Sequence, residues 1–405
     1  MEFRIERSAL ADAVAWAARV LPVRSPVPLL GGLLLEAEGG RLRISGLDYE
    51  ASARIDVDAD VPRPGKVLVM GRRLLDICKV LPEGPVECAV EGPRFTVSGD
   101  GARFGLSVLP LDDYPAPPPL PPIRGAVDAR RFAAAVTDVA VAAGRDDTLP
   151  VLTGIRLELD GDTMTLAATD RYRFAVRTIP WRPTAPGGPA DVIVSARRLT
   201  EIARSLARSG EVSVALDTGS AGFEHAGTRT TVRLLEGRLP RHDKLFAMRD
   251  PAVAVVDRAR LVEAVRRVAV VADGDSPVQM TFSRADASVL LQAGYEDDVA
   301  SQRIPAALEG AEETVVAFNP AYLTDALASF AGPSLRLLLL GAGQRAMITD
   351  DTGPAADAED GDATNTPAGT GGVAGRGGVA GPDSVAGTGG ETHRHLLMSV
   401  KPQLT

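Results

Sequence analysis

The chain has 405 residues, of which 44 are basic and 53 acidic, giving a net charge of -9 at pH 7. At roughly 100–200 residues per domain, this length predicts about three domains, each large enough to bury its own core. The acidic balance argues at first against a nucleic-acid partner, and the two cysteines have the spacing of neither a disulfide framework nor a zinc site. No run of about 20 apolar residues occurs, and the first residues lack the apolar segment of a signal peptide. We therefore expect a soluble, cytoplasmic protein without a membrane partner.

The same order of elements occurs three times along the chain. Amphipathic helices are predicted at 6–21, 128–143 and 257–272, with apolar anchors at Leu10, Phe132 and Leu261. Alternating strands with Gly/Asp-rich turns follow at 29–55, 151–179 and 278–304. A second helix follows in each copy near 71–84, 195–209 and 319–332, with anchors at Leu74, Leu199 and Leu323, and further strands complete the copy. Such a period indicates three similar α+β domains in tandem.

The second helix of the middle repeat, residues 195–209, has one apolar side and one basic side at about 3.6 residues per turn. The apolar side carries Leu199, Ile202, Ala203 and Leu206, and the basic side carries Arg197, Arg204 and Arg208. In the other repeats Arg72 and Lys79, and Arg260 and Arg267, are likewise spaced seven residues apart. A solvated helix face explains each helix taken alone, whereas the recurrence fits one shared basic surface. The pattern leaves both interpretations open.

Composition marks the boundaries between the repeats. A proline-rich stretch at 115–125 separates the first two copies, and residues 248–253 separate the second from the third. We therefore predict domains at 1–122, 123–250 and 251–405. From about 351 to 391 the chain becomes rich in Gly and Ala, which predicts a disordered insertion before the last strand.

The sequence shows no recognisable catalytic motif. It lacks a phosphate-binding loop, the HExxH pattern and the GxSxG pattern. His393 and His395 have no carboxylate or thiolate at ligand spacing. We predict a protein that is not an enzyme, with no catalytic residue, bound metal or cofactor.

Several segments resemble the bacterial DNA polymerase III β subunit, the sliding clamp, and most of all its actinobacterial form. They include VPLLGGLLLEA at 27–37, LLDICKVLPEG at 74–84 and TLPVLTGIRLE at 148–158, followed by ATDRYRFAV at 168–176. The resemblance covers the chain except the insertion. It implies the DNA clamp fold, in which a head-to-tail homodimer of three-domain subunits forms a ring with helices inside and antiparallel sheets outside. It also implies a processivity factor that encircles duplex DNA independently of sequence.

The resemblance assigns candidate residues to three sites. The DNA-binding positions are Arg24, Arg72, Arg73, Lys79, Arg197 and Arg198. A pocket for partner peptides of the Gln-x-x-Leu-Phe type comprises Leu152, Thr169, Arg171, Tyr172, Arg173, Phe174, Pro240, Lys244, Leu245, Asn319, Tyr322, Leu396, Met398, Ser399 and Val400. The dimer seam comprises Ile77, Leu81 and Leu106 of one subunit and Val270 and Val271 of the other. The implied partners are the clamp loader, the polymerase III α subunit, other polymerases and repair proteins, at the nucleoid.

The C-terminus departs from the family pattern. The last strand usually ends like MPVRL, whereas this chain has MSVKPQLT, with Ser399 in place of a proline. We expect the serine to free the local backbone and to place a hydroxyl in a mostly apolar groove, which weakens peptide binding. Two alternatives remain beside the sliding clamp. One is a diverged secondary copy that acts as a partner-binding scaffold or has altered partner or inhibitor binding, and the other is an enzyme with an unrecognised site.

Overall fold

The structure is a computed structural model that describes residues 1–24, 27–184, 188–206, 210–272, 276–295, 298–351 and 391–401. Most of the predicted insertion at about 351–391 therefore lies outside the described residues, as do Arg208 and the last four residues. The chain divides into two compact units, Met1–Ala247 and Met248–Thr405, which are treated in turn.

The first unit contains two of the three repeats. The elements of the first repeat are β1 Glu2–Glu6, α1 Arg7–Ala17, β2 Gly32–Glu38, β3 Arg41–Leu47, β4 Ala51–Asp58, β5 Asp60–Arg63, β6 Gly65–Met70, α2 Gly71–Val80, β7 Pro85–Glu91, β8 Arg94–Gly99 and β9 Ala102–Ser107. Those of the second are β10 Ile123–Asp128, α3 Ala129–Ala140, β11 Gly154–Asp160, β12 Thr163–Thr169, β13 Arg173–Pro180, β14 Arg182–Pro183, β15 Ala190–Ser195, α4 Ala196–Leu206, β16 Glu211–Leu216, β17 Ser220–His225, β18 Thr228–Arg233 and α5 Asp243–Phe246.

The second unit contains the third repeat. Its elements are β19 Ala252–Asp257, α6 Arg258–Val268, β20 Val278–Ser283, β21 Ser288–Tyr295, β22 Asp298–Glu309, β23 Glu313–Phe318, α7 Pro320–Ala328, β24 Ser334–Leu339, β25 Arg345–Asp350 and β26 Thr392–Met398. Short 3-10 turns elsewhere in the chain cover Ala18–Val20, Pro28–Gly31, Pro150–Thr153 and Ala269–Val271. Within the described residues, no helix is long and apolar enough to cross a membrane.

Corresponding helices begin in the same way in different repeats. Asp128 is the last residue of β10, and its carboxylate accepts a hydrogen bond from the Arg131 amide at 2.9 Å, which caps α3. Asp257 is the last residue of β19, and its carboxylate accepts from the Arg260 amide at 2.7 Å, which caps α6. Such caps satisfy amides that have no partner inside the helix, so the same strand-to-helix junction forms in both repeats.

The strands form antiparallel sheets in both units. The first unit has the orders β5-β1-β7-β8-β9 and β14-β10-β16-β17-β18-β4-β3-β2-β6, together with the group β15-β11-β12-β13. The second unit has the order β26-β25-β24-β19-β22-β21-β20-β23. In the nine-stranded sheet β18 of the second repeat pairs with β4 of the first, from Thr228 opposite Ile55 to Val232 opposite Ala51. This ladder joins the first two repeats into one unit.

The predicted apolar anchors all lie in the cores. Leu10 and Leu74 are buried in the first repeat, Phe132 and Leu199 in the second, and Leu261 and Leu323 in the third. The core of the second repeat also takes in Val20, Ala51 and Ala53 from the first. The helical period of the sequence therefore identified the residues that pack.

The two cysteines are buried, unpaired thiols in the core of the first repeat. Burial raises the pKa of Cys78 to about 11. Burial also raises the pKa of Cys88, with a smaller contribution from Cys78. Because the thiolate is the reactive form, both side chains act as small apolar groups.

Candidate functional site

Each repeat contributes a pair of packed helices, α1 with α2, α3 with α4, and α6 with α7. On α2 the buried side holds Leu74 and Cys78, while the exposed side holds Arg72, Arg73 and Lys79. These are three of the predicted DNA-binding residues.

The segment that carries Arg24 lies beside the first turn of α2. The Arg72 guanidinium donates a hydrogen bond to the Pro22 carbonyl at 3.4 Å, and Arg24 is exposed two residues further on. The first repeat therefore brings four predicted DNA-binding cations onto neighbouring segments.

In the second repeat the exposed cations border a cleft of about 700 Å³ beside α4 and the end of α3. Arg145, Arg197 and Arg204 line it, together with Glu50, Asp147 and Glu201. Next to this cleft, hydrogen bonds from the Thr148 hydroxyl and amide lower the pKa of the Asp146 carboxyl. Arg145 and Arg204 were not among the predicted DNA-binding residues. The matching arginine spacing on α4 was the signal that pointed to Arg204.

Arg198 differs from its neighbour Arg197. The Arg197 side chain is 77% exposed, whereas the Arg198 side chain is 15% exposed and donates to the Asp48 carboxylate at 2.5 Å. That carboxylate also accepts from the amides of Glu50 and Ala51, at 2.8 and 2.7 Å. Arg198 therefore ties α4 to the loop between β3 and β4. This geometry argues against its use as a phosphate ligand, because its charge is already compensated.

The predicted peptide-binding residues of the first unit centre on the turn between β12 and β13. The Asp170 carboxylate accepts from the Tyr172 and Arg173 amides at 3.0 and 3.1 Å, and it binds the Arg173 guanidinium at 2.9 Å. The Thr169 hydroxyl donates to the Arg173 carbonyl at 2.7 Å and accepts from the amide of Arg171. Arg171 has a φ of 83°, a strained conformation for a residue with a side chain, which these bonds hold in place.

Within this turn, exposed and buried residues have different roles. Thr169, Arg173 and Phe174 are buried, whereas Arg171 is exposed and the Tyr172 side chain is 57% exposed. The Phe174 ring packs edge-on against Phe246 of α5, with centroids 5.7 Å apart. The aromatic contact brings the turn next to α5 and thus to Lys244, which is exposed, and Leu245, which is half-buried. Two further predicted residues lie outside this turn. Pro240 is exposed, and Leu152 is half-buried in a 3-10 turn.

Two of the predicted peptide-binding residues of the second unit, Ser399 and Val400, are held by hydrogen bonds to other segments of that unit. The Ser399 amide donates to the Gln344 carbonyl at 2.9 Å, and the Val400 amide donates to the Ala317 carbonyl at 2.8 Å. The Ser399 hydroxyl accepts from the Ala317 amide at 3.2 Å. We expected this hydroxyl to lie in a mostly apolar groove; in the structure it is buried and accepts a hydrogen bond from the backbone.

The other predicted residues of this group lie on two segments, the start of α7 and the end of β26. Asn319 caps α7 by accepting from the amides of Ala321 and Tyr322, at 3.0 and 3.3 Å. Asn319 and Tyr322 are half-buried, Leu396 is buried, and Met398 and Val400 are exposed.

The predicted seam residues differ in exposure. In the first unit Ile77 and Leu106 are half-buried, but Leu81 is only 4% exposed and belongs to the core of the first repeat. In the second unit Val270 is 82% exposed and Val271 is half-buried, both in the 3-10 turn after α6. Leu81 therefore contributes to internal packing and offers little surface to a second subunit.

Comparisons with known proteins agree with this architecture. The chain matches the N-terminal, central and C-terminal domains of the DNA polymerase III beta subunit at residues 1–118, 126–241 and 244–358. It is 47% identical over 365 residues to the beta sliding clamp of Streptomyces coelicolor, covering 89% of this chain and 96% of that protein. It is 44% identical over 362 residues to the beta sliding clamp homolog GriR of Streptomyces muensis, with the same coverage.

Solved structures show the same fold. The crystal structure of the DNA polymerase III subunit beta from Pseudomonas aeruginosa superposes with a TM-score of 0.83 at 24% identity, covering 99% of this chain and 100% of that one. The sliding clamp of Bacillus subtilis gives 0.84 at 20% identity, with full coverage of both chains.

Three α+β repeats with paired helices and antiparallel sheets define the class of DNA sliding clamps. The chain belongs to the family of bacterial DNA polymerase III beta subunits, whose members bind DNA and polymerases. It acts as a sliding clamp, a processivity factor without catalytic activity, and its relatives include actinobacterial members. The predicted fold class, function and non-enzymatic nature are confirmed.

The buried ion pair leads to a prediction about stability. Replacing Arg198 with alanine leaves the 11% exposed Asp48 side chain without its cation. We expect this change to lower the free energy of unfolding by about 2 kcal/mol. Urea unfolding followed by tryptophan fluorescence measures the effect in the first unit, because both tryptophans, Trp16 and Trp181, lie there.

The adjacent residue provides the control. Arg197→Ala removes an exposed arginine from the same helix, and we expect a change within about 0.5 kcal/mol. Equal unfolding free energies for the two variants would contradict a structural role for Arg198.

Proposed function

We propose that two copies of this chain close head to tail around duplex DNA and slide along it. The observation that carries the proposal is the recurrence of exposed cations opposite the buried faces of α2, α4 and α6. In the third repeat these cations are Arg260, Arg266 and Arg267. Contacts between cationic side chains and DNA phosphates do not depend on the base sequence of the DNA. A closed ring stays on DNA because it encircles the duplex. An acidic chain therefore needs basic surface only where it faces the duplex.

We propose that the ring closes where the first repeat of one subunit meets the third repeat of the other. β9, which carries Leu106, ends the order of its sheet among the described strands. β22 pairs with β21 over residues 298–305 but with β19 only over residues 306–309, so its first half has one edge without a described neighbour. Unpaired strand edges form ladders with a second chain, and the exposed Val270 supplies an apolar contact.

We further propose that partner proteins bind through a short peptide. Support comes from Tyr172 and Arg171, which a rigid turn presents on the surface of the first unit, and from Met398 and Val400 on the second unit. Aromatic and apolar anchors with a few polar groups are typical of peptide-binding surfaces. We propose the clamp loader, the polymerase III α subunit, other polymerases and repair proteins as the partners, and the cytoplasm at the nucleoid as the place where the protein works.

Retention on DNA tests the ring. The protein is loaded onto nicked circular DNA by a bacterial clamp loader and challenged with salt that removes ordinary phosphate contacts. We expect it to remain on circles and to leave once the DNA is linearised, which gel filtration of labelled protein measures. Equal loss from circular and linear DNA would contradict encirclement.

A charged seam should prevent ring closure. We expect the double variant Val270→Asp, Val271→Asp to be a monomer, because closure would bury unpaired carboxylates. Sedimentation velocity measures the state, with Val23→Asp as a control at a 78% exposed valine outside the proposed seam. A double variant that sediments as a dimer would place the seam elsewhere.

The peptide surface is tested on its exposed aromatic residue. We expect Tyr172→Ala to weaken binding of a Gln-x-x-Leu-Phe peptide about tenfold, as for other exposed aromatic anchors. Fluorescence anisotropy measures the Kd, and Tyr49→Ala, at a 67% exposed tyrosine of the same unit, serves as the control. An equal effect of both variants would argue against a peptide site at this turn. Phe174 is unsuitable for this test because it is 2% exposed and its loss would disturb the core.

A further inference from the structure

The segment after β26 crosses to a different strand of the second unit. Met398, the last residue of β26, is still opposite Arg345 of β25. Its neighbour Ser399 donates its amide hydrogen to the Gln344 carbonyl, and Val400 then pairs with Ala317 in an antiparallel bridge. Ala317 belongs to β23, which stands at the other end of this unit's strand order. Two residues thus bring the first and last strands of that order together.

The Ser399 side chain completes the crossing. Ala317 is fully buried, and its carbonyl accepts from the Val400 amide while its amide donates to the Ser399 hydroxyl. Ser399 itself is 5% exposed. Since a buried amide without an acceptor is costly, the hydroxyl is needed wherever the tail occupies this position.

Burial of Ser399 determines where its neighbours point. Successive side chains of an extended segment alternate in direction, so a buried residue places those before and after it outward. Met398 is 41% exposed and Val400 is 42% exposed, as this alternation requires. Release of Ser399 would remove the restraint on both apolar side chains.

The same contact fixes the tail to the segment that leads into α7. Ala317 is two residues before Asn319, whose side chain caps that helix and holds the amide of Tyr322. We propose that Ser399 is a positioning residue for partner binding, because it sets Met398 and Val400 beside the start of α7 in the arrangement that an apolar peptide contacts. The inference rests on the proposed peptide-binding function and extends it to a residue that does not itself face the peptide.

From the structure we expect proline at this position to have the opposite effect from the one that the sequence alone predicts. A proline has no amide hydrogen for the Gln344 carbonyl and no hydroxyl for the Ala317 amide. Of the three hydrogen bonds that join the described residues Ser399 and Val400 to Gln344 and Ala317, it would remove two. Ser399→Pro is therefore expected to weaken peptide binding in this chain, although proline is the usual residue at this position in the family that the chain resembles.

Four variants of the full chain test the proposal, with the Kd of a Gln-x-x-Leu-Phe peptide as the readout. We expect Ser399→Ala to weaken binding about fivefold and Ser399→Pro at least as much, because the peptide must then order the tail. Ser399→Thr keeps the hydroxyl and is expected to stay within about twofold of the unaltered protein. Ser288→Ala is the matched control, since Ser288 is a 6% exposed serine of the same unit whose hydroxyl accepts from the Arg303 guanidinium at 2.9 Å. We expect it to leave the Kd unchanged.

Amide hydrogen exchange provides a second readout. Faster exchange at Ala317 in Ser399→Ala, together with a weaker Kd that threonine restores, would support the proposal. If the unaltered protein binds the peptide and Ser399→Ala binds it equally well, the positioning role is wrong and the peptide site stands. If both serine-to-alanine variants weaken binding equally, the effect is general loss of stability and the positioning role is again wrong. If the unaltered protein does not bind the peptide, the proposed peptide function itself fails.

Discussion

The antiparallel ladder between β4 and β18 is the constraint on which the first unit depends. It runs from Thr228 opposite Ile55 to Val232 opposite Ala51 and merges strands of two repeats into one sheet. Because Ala51 and Ala53 of β4 then lie in the core of the second repeat, the two repeats cannot bury their apolar surfaces independently. The loop before β4 is carried to α4 by the same pairing, and there Asp48 meets Arg198. The pairing of β4 with β18 therefore forms the shared core and also brings Asp48 to Arg198.

The sequence predicted those parts of the fold that depend on local periodicity. Phe132 and Leu261 each belong to a set of apolar residues at helical spacing, and each is buried in the core of its own repeat. Asp128 and Asp257 are the first residues of the predicted helical segments 128–143 and 257–272, and in the structure they cap the helices there. These features are local, because a helix face and a cap are set by residues within a few positions of one another.

Features that depend on distant pairing could not be predicted in the same way. Arg198 has the sequence context of a basic helix face, yet its partner Asp48 lies 150 residues earlier in the chain. Ser399 has the context of a substituted proline, yet the amide that it accepts from belongs to Ala317, 82 residues away. In both cases the residue type was visible in the sequence, but the topology decided whether its polar group faces solvent or another segment. Buried polar groups need partners, so the role of each followed only once the strand order was known.

The exposed cations of the helices share a further property that suits sliding. Lys79 pairs with Asp76 at 3.1 Å, Arg197 with Glu201 at 3.3 Å, and Arg266 with Glu263 at 2.8 Å. In every pair both side chains are more than a third exposed, and ion pairs of this kind contribute about 0–1 kcal/mol. In the proposed ring, a DNA phosphate would therefore replace the carboxylate at little cost, and the carboxylate would return when the phosphate moves on. Strong, dehydrated contacts would instead hold the clamp at one position. The buried Arg198 pair cannot exchange in this way, which separates the arginine that maintains the fold from those available to a moving duplex.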